Sequence, residues 1–418
     1  MKKLRLILVL LMVAAVSKHT FSQDTLKNDS TREHALKVYF YCPACDMDFV
    51  RKEITFVNYV RDQKDAQLYI LESSMQNGSG GSEYSIYFIG QKEFKGRNDT
   101  LKFSTSPNNT PDEARKMGNQ ILKEGMMYYV AHTPLAKDVT IDYATKEAPA
   151  EIKDPWKSWV YTINGSSYFN GQQDVKVENL YGSLDASKTT EKFRTDISAY
   201  YNYYDGKYQI SDSSSVNCSF NNKGFNWLAV KSLGEHWSAG GFACVNASTF
   251  SNIKLHYALF PAVEYNLYKY SESTRHQLRF LYQIGGNYFQ YLDTTIYNKV
   301  KQTLFTHTLT IAYKVIEKWG SISTSLSSNQ YLYDLTKYDL ALNTSLNVRI
   351  FKGLSFNVNG QVALVHDQLS LPAAGATEAE ILTGVELLAS TYTYWINAGL
   401  TYTFGSIYNN VVNPRFAN

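Results

Sequence analysis

The sequence predicts a mainly β protein: a closed antiparallel transmembrane β-barrel of about twelve strands preceded by a small α+β domain. Three observations lead there: a break in charge density near residue 156, strict apolar/polar alternation over long segments, and an export signal at the start of the chain. The 418 residues are 44% hydrophobic, 14% aromatic and 19% charged, with a formal net charge of +3 and 33 Tyr against 9 Pro. That aromatic content excludes a disordered chain. Near-neutral charge excludes nucleic acid as a partner, because its phosphates need clustered Lys and Arg. Mean hydropathy is −0.31, and no run of 18 or more apolar residues follows the first two dozen positions, so no transmembrane helix is expected.

Lys2, Lys3 and Arg5 precede an apolar stretch from Leu6 to Val16, and small or polar residues follow to Gln23. This is the order of a secretory signal peptide, expected over residues 1–22 with cleavage near Ser22. The apolar stretch is too short to anchor, and no Cys ends it as in a lipoprotein. A buried N-terminal helix is the competing reading, and the basic flank speaks against it. Residues 23–36 read as a flexible segment.

An exported α+β domain is expected over residues 37–144. Val38 to Phe40 forms a strand, and Cys42-Pro43-Ala44-Cys45 leads into a helix with Phe49, Ile54 and Val57 on one side. Apolar strands follow at 66–73, 84–90 and 99–104. Asn77-Gly78-Ser79-Gly80-Gly81 reads as a hairpin loop, since a phosphate cradle would need a following helix and a Lys. Thr110-Pro111-Asp112-Glu113 starts a helix that runs to about Tyr128, with Thr as N-cap and acids against the helix dipole. Val139 to Tyr143 adds a last strand before a linker at 145–157.

The four Cys are Cys42, Cys45, Cys218 and Cys244. Cys42 and Cys45 stand between a strand and a helix, which leaves three readings: a structural disulfide of an oxidising compartment, a redox pair, or half of a metal site. The disulfide is the simplest. The strands after the helix look like a meander and not a thioredoxin βαβ unit, and no second CxxC or His pair completes four ligands. Cys218 and Cys244 lie in separate strands and are expected to be unpaired. No metal site and no cofactor is expected.

Residues 24–156 carry 17 Lys/Arg and 20 Asp/Glu in 133 positions, whereas residues 157–418 carry 20 and 18 in 262 positions. Charge density halves. The second part, expected to be an outer-membrane barrel over residues 158–418, holds 24 of the 33 Tyr. From Thr391 to Phe404, Tyr392, Tyr394, Ile396, Ala398, Leu400, Tyr402 and Phe404 alternate with Thr, Trp, Asn and Gly. Leu340, Leu342, Leu346, Val348 and Ile350 alternate in the same way, as do Leu354, Phe356, Val358 and Val362. Period two puts the two sets on opposite faces. A soluble sandwich alternates too. Against it stand segments of about ten to fourteen residues, the length of a tilted membrane strand, aromatics crowding the ends of the apolar face, and connections that alternate tight and long. Ser232–Trp237, Tyr270–Arg275, Glu317–Ser321 and Phe351–Leu354 are tight, while Ser211–Lys223, Tyr291–Thr303 and Leu369–Ser390 are long.

The expected strands are 159–170, 175–187, 191–211, 222–233, 236–250, 253–269, 275–290, 303–317, 319–333, 337–351, 353–368 and 391–404. That makes twelve, with ten or fourteen open because the second and fourth are weak. On the clearest strands the polar set, expected to line the lumen, is Asp339, Asn343, Asn347, Arg349, Asn357, Asn359, Gln361, Asn397 and Thr401. Twelve strands fall between the eight that side chains fill and the sixteen or so that leave an open channel, so a narrow pore and a plugged interior both remain. His236, His256, His276, His307 and His366 fall singly, and neither GxSxG nor HExxH occurs, so no catalytic constellation is expected. The helix-like stretch Ala376 to Leu388 would sit in the longest external loop.

The tail from Phe404 to Phe416, Leu228 to Ser238 (LAVKSLGEHWS), Ser248 to Asn252 (STFSN) and the CxxCD from Cys42 together resemble a group of Gram-negative outer-membrane β-barrel proteins with a small N-terminal CxxC-containing periplasmic domain. The resemblance implies architecture and location and no activity. Many barrels end on an aromatic read by the insertion machinery, whereas here the final residue is Asn418 and not Phe416. The expected function is a narrow channel for small polar solutes with a periplasmic docking or gating domain. A non-conducting membrane anchor for that domain is the alternative, and a CxxC redox protein a third. Outer-membrane lipid, the barrel insertion machinery and a periplasmic protein are the partners this implies.

Overall fold

A computed structural model describes residues 34–140, 154–211, 214–375 and 389–405. The expected signal peptide, most of the linker, the stretch 376–388 and the tail beyond Gly405 lie outside the described residues.

Residues 34–140 build a five-stranded sheet with two α-helices. The strands are β1 (Lys37–Tyr41), β2 (Asn58–Tyr59), β3 (Leu68–Gln76), β4 (Ser82–Gly90) and β5 (Asn98–Ser104), in the order β2-β1-β3-β4-β5. β1 pairs in parallel with both β2 and β3, and β3, β4 and β5 form the antiparallel meander that the sequence predicts. β2 was not foreseen; two residues are too few to show a period. Helix α1 (Met47–Glu53) starts where Asp46 Oδ1 accepts the Phe49 N–H at 3.0 Å. Helix α2 (Pro111–Val130) starts with a full capping box, Thr110 and Glu113 each bonding the other's backbone N–H. Val139 and Thr140 are not strand; a 3₁₀ turn at Pro134–Asp138 precedes them, and the rest of that expected strand is outside the described residues.

The strands alternate, and both of their faces are apolar. Val38, Leu68, Ile70, Ile86 and Phe88 turn one way and pack with Leu122, Met126 and Tyr129 of α2 and Val50 of α1. Tyr69, Leu71 and Ile89 turn the other way, with Tyr39, Tyr41 and Tyr87 beside them. Such a sheet must be covered twice. The helices cover the first face, and an end of the larger sheet covers the second.

That larger sheet has twelve strands, all antiparallel: β6 (Trp159–Gly171), β7 (Val175–Thr189), β8 (Phe193–Ser211), β9 (Ser214–Ser232), β10 (Trp237–Ser248), β11 (Ile253–Asn266), β12 (His276–Tyr291), β13 (Lys301–Glu317), β14 (Gly320–Tyr331), β15 (Asp334–Phe351), β16 (Leu354–Val365) and β17 (Tyr392–Tyr402). Each pairs with its sequence neighbours. β6 and β17 are the two ends of the order; no ladder joins them among the described residues, and both are exposed along nearly all their length. Ladder irregularities fall only near strand ends, as at Gln209/Ser211, Asn246/Ser248 and Arg349/Phe351.

Two sequence expectations need correction. The long connection from Ser211 to Lys223 is mostly strand: β9 starts at Ser214, pairing Val216, Cys218 and Phe220 with Tyr208, Gly206 and Tyr204. This half-strand alternates over only three apolar positions, Val216, Cys218 and Phe220 against Ser215, Asn217 and Ser219, and its Ser and Asn content is that of a loop. The contrast of tight and long connections is also weaker than expected. One end carries 190–192, 233–236, 267–275, 318–319 and 352–353, and the other 172–174, 212–213, 249–252, 292–300, 332–333 and 366–391, so the asymmetry rests on the last of these.

Truncating the wholly buried Leu122 to Ala should cost the small unit about 2–5 kcal/mol, against about 1 kcal/mol for Thr110→Ala at the cap. Native-state hydrogen exchange of the α2 amides measures both, and equal losses would show that α2 does not close this core.

Candidate functional site

Because paired residues share a face, the register sorts the whole sheet into two surfaces. Asp339, Asn343, Asn347 and Arg349 of β15 stand opposite Val365, Gln361, Asn357 and Ser355 of β16. Asn357, Asn359, Gln361 and Ser355 stand opposite Gly399, Asn397, Trp395 and Thr401 of β17. All nine residues expected to line a lumen therefore lie on one face. In the other direction Asn343 and Asp339 face Ser325 and Asn329 of β14, and the polar surface runs on through Thr308 and Thr310 of β13.

This face is tied together by side-chain hydrogen bonds. At one end of the sheet Asn164 Nδ2 donates to Ser183 Oγ at 3.2 Å, and Asp185 accepts from Ser183 at 2.7 Å and from Ser198 at 2.6 Å. Midway Asn287 donates to Thr306 at 3.1 Å and Thr308 to Asn329 at 2.9 Å. Towards the other end Ser345 donates to Asn359 at 2.7 Å. Its charges are few, and two of them neutralise each other: Arg279 lies 3.4 Å from Glu264. The opposite face is apolar and open. Ile163 is 81% exposed, Leu259 63%, Phe305 59% and Leu400 67%, with Trp227, Tyr257, Ile284, Leu342, Tyr394 and Ile396 also exposed. Aromatics gather near its two rims, as Trp237 against Tyr265 at one and Tyr257 against Tyr288 at the other, both with ring centroids 4.8 Å apart.

The small unit docks on one end of this sheet. Ser73 Oγ donates to the Thr274 carbonyl at 2.6 Å, and the Tyr87 and Thr274 hydroxyls are 3.1 Å apart. Arg275, forked on Glu317 at 2.7 and 2.8 Å, also covers the Tyr87 ring. Arg349 lies 4.6 Å over the Tyr39 ring, which stacks on Tyr69, and it donates to the Tyr39 hydroxyl and, at 3.3 Å, to Gln63. Its guanidinium thus serves the docking even though Arg349 shares the polar face. Lys352 pairs with Asp65 at 2.7 Å, and the Gly353 N–H donates to Asp62 at 3.0 Å. Gly353 has φ +76°, and a Cβ there would sit 2.2 Å from the Thr403 carbonyl oxygen, so only Gly makes this turn. Arg61 reaches β17's end, donating to the Phe404 carbonyl at 3.0 Å. At the other end of the sheet's order, a Cβ on Gly78 would meet the Thr189 carbonyl oxygen at 2.9 Å.

Sequence reading missed these docking residues. The available signal was Tyr39, Tyr69, Tyr87 and Leu71 on strands whose other face was already apolar. Cys42 and Cys45 form a disulfide, and Cys218 and Cys244 are free. His256 stacks on Phe289 at 4.4 Å and bonds Asn287, and His276 lies 3.1 Å from Glu317, so these histidines are spent on local contacts. Among the described residues no group of three or more His, Cys, Asp or Glu is placed to hold a metal, and no helix is long and apolar enough to cross a membrane. No protein-family model matches the chain, and no curated protein matches it.

Zero-length carbodiimide coupling should join Asp65 to Lys352, giving a cross-linked peptide by mass spectrometry that Lys352→Arg abolishes. Absence of that peptide from the folded full chain would mean that the small unit does not sit on this end.

Proposed function

We propose that the chain is an outer-membrane β-barrel protein of a Gram-negative bacterium, acting as a narrow path for small polar solutes, with the N-terminal unit seated over the periplasmic mouth. The observation that carries this reading is the exposed apolar face of the twelve-strand sheet. Monomeric soluble proteins rarely leave apolar patches beyond a few hundred Å² uncovered. Here alternate residues of strand after strand form such a surface, bounded by aromatic rims, as a lipid-facing belt requires. Closure of β6 onto β17 is part of the proposal: each unpaired backbone group costs several kcal/mol in hydrocarbon, so an open sheet edge does not survive there. The opposite face, rich in Asn, Ser and Thr, would then be the lumen wall. Its sparse charge suits neutral or weakly charged solutes. Barrel insertion machinery would place it, as the resemblance implies.

The docked unit also supports a second reading, in which the mouth stays shut and the barrel anchors the unit for a periplasmic protein partner. The two part in planar bilayers. Purified, folded full chain is expected to give discrete conductance steps with weak ion selectivity, and Arg349→Ala combined with Lys352→Ala should raise the open fraction by releasing the unit. Complete absence of conductance from both proteins, each folded by circular dichroism, would overturn the channel reading and leave the anchor.

A further inference from the structure

Beneath the first half of α2 the small unit carries a cavity of about 560 Å³ that opens to solvent beside Asp46, Asp112 and Arg115, a size typical of small-molecule sites. Its walls are apolar, with Val50, Ile86, Phe103 and Leu122 among them, and the Cys42–Cys45 disulfide lies at its margin. Tyr84 stacks on Phe103 with centroids 4.7 Å apart. Gly118 keeps space open: a Cβ there would already stand 3.3 Å from the Phe103 ring.

Two buried polar side chains interrupt the apolar wall. Glu72 is 4% exposed and Asn119 is 5% exposed, and both line the cavity. The Glu72 carboxyl is held by the Ala44 N–H, which donates to Oε2 at 3.2 Å, and by the Ser74 hydroxyl beside it, but Oε1 has no hydrogen bond of its own, and neither has Asn119 Oδ1. Burial pushes the Glu72 carboxyl above the usual carboxylate range. Buried acceptors without donors are rare because desolvation is left uncompensated, so a ligand that brings donors relieves both at once. The charged groups of the lining are the carboxylates Asp46, Glu72 and Asp112 against the single guanidinium of Arg115. That guanidinium is engaged, by Asp46 at 3.1 Å and Asp112 at 2.6 Å. Lys116 pairs with Asp112 as well, at 2.7 Å, so the charge left without a cation is that of Glu72, and the unmet need is for N–H.

We propose that this cavity binds a small cationic amphiphile, an alkyl or aromatic amine, with its apolar body against Ile86, Phe103 and Leu122 and its ammonium group donating to Glu72 and Asn119. A carboxylate head of the same chain length would set acceptor against acceptor and be rejected. The site is independent of whether the sheet conducts.

Calorimetric titration of the detergent-solubilised full chain with hexylamine, and with hexanoate as the matched anion, tests this. Saturable one-to-one binding of hexylamine is expected, with hexanoate at least about tenfold weaker. Glu72→Gln should weaken hexylamine by about tenfold or more, and either Gly118→Leu or Ala114→Leu should abolish it by filling the space. No saturable hexylamine binding, equal affinity for the two probes, or undiminished binding in a filling variant that keeps the wild-type circular dichroism would each overturn the proposal. Should neither filling variant fold, the pair of probes against wild type and Glu72→Gln decides alone.

Discussion

Everything in the larger sheet depends on register. Side chains in a strand alternate with a period of two, so one residue of slip inside a ladder would move every apolar group of that strand to the polar face. Eleven ladders run in sequence from β6 to β17, and an error in one would be inherited by all beyond it. The irregularities lie near strand ends, where they turn the chain without exchanging faces along the strand body. Two surfaces of opposite chemistry result from a purely local rule.

The small unit obeys a different constraint. Its sheet is apolar on both sides, and its own two helices cover one side only. The second side is closed by Ile316 and by the polar and cation–π contacts of Thr274, Arg275 and Arg349. Tyr suits this surface because its ring buries apolar area while its hydroxyl still finds a partner. Tyr39 does both, lying under one guanidinium nitrogen plane and receiving its N–H. Part of the Tyr excess in the composition therefore belongs to docking and not to the twelve-strand sheet.

Much of the fold was legible because the signal was periodic. β17 alternates from Tyr392 to Tyr402 with Trp395 as the one exception on its polar face, and the start of α2 was marked by Thr110-Pro111-Asp112-Glu113. Where the pattern failed, a physical reason is visible. The first half of β9 has the Ser and Asn content of a loop, with only Val216, Cys218 and Phe220 to mark a face, and β2 is two residues long. The polar face could be named from β15 to β17 because alternation decides facing, but what Arg349 touches depends on its distance from the turn, which periodicity does not encode. Glu72 was legible in principle as a charge inside the apolar run of β3, and its significance needed Asn119, 47 positions away, to be placed across the same cavity. Contacts between separate elements leave no period in a sequence.

The Arg61 to Phe404 hydrogen bond spans 343 positions. The small unit is made first, yet part of its seat exists only after the last strand has been laid. Loop-closure entropy must be met before such distant contacts return anything, so docking is a late event. The N-terminal unit can therefore make its full set of seat contacts only after β15, β16 and β17 have been paired in order.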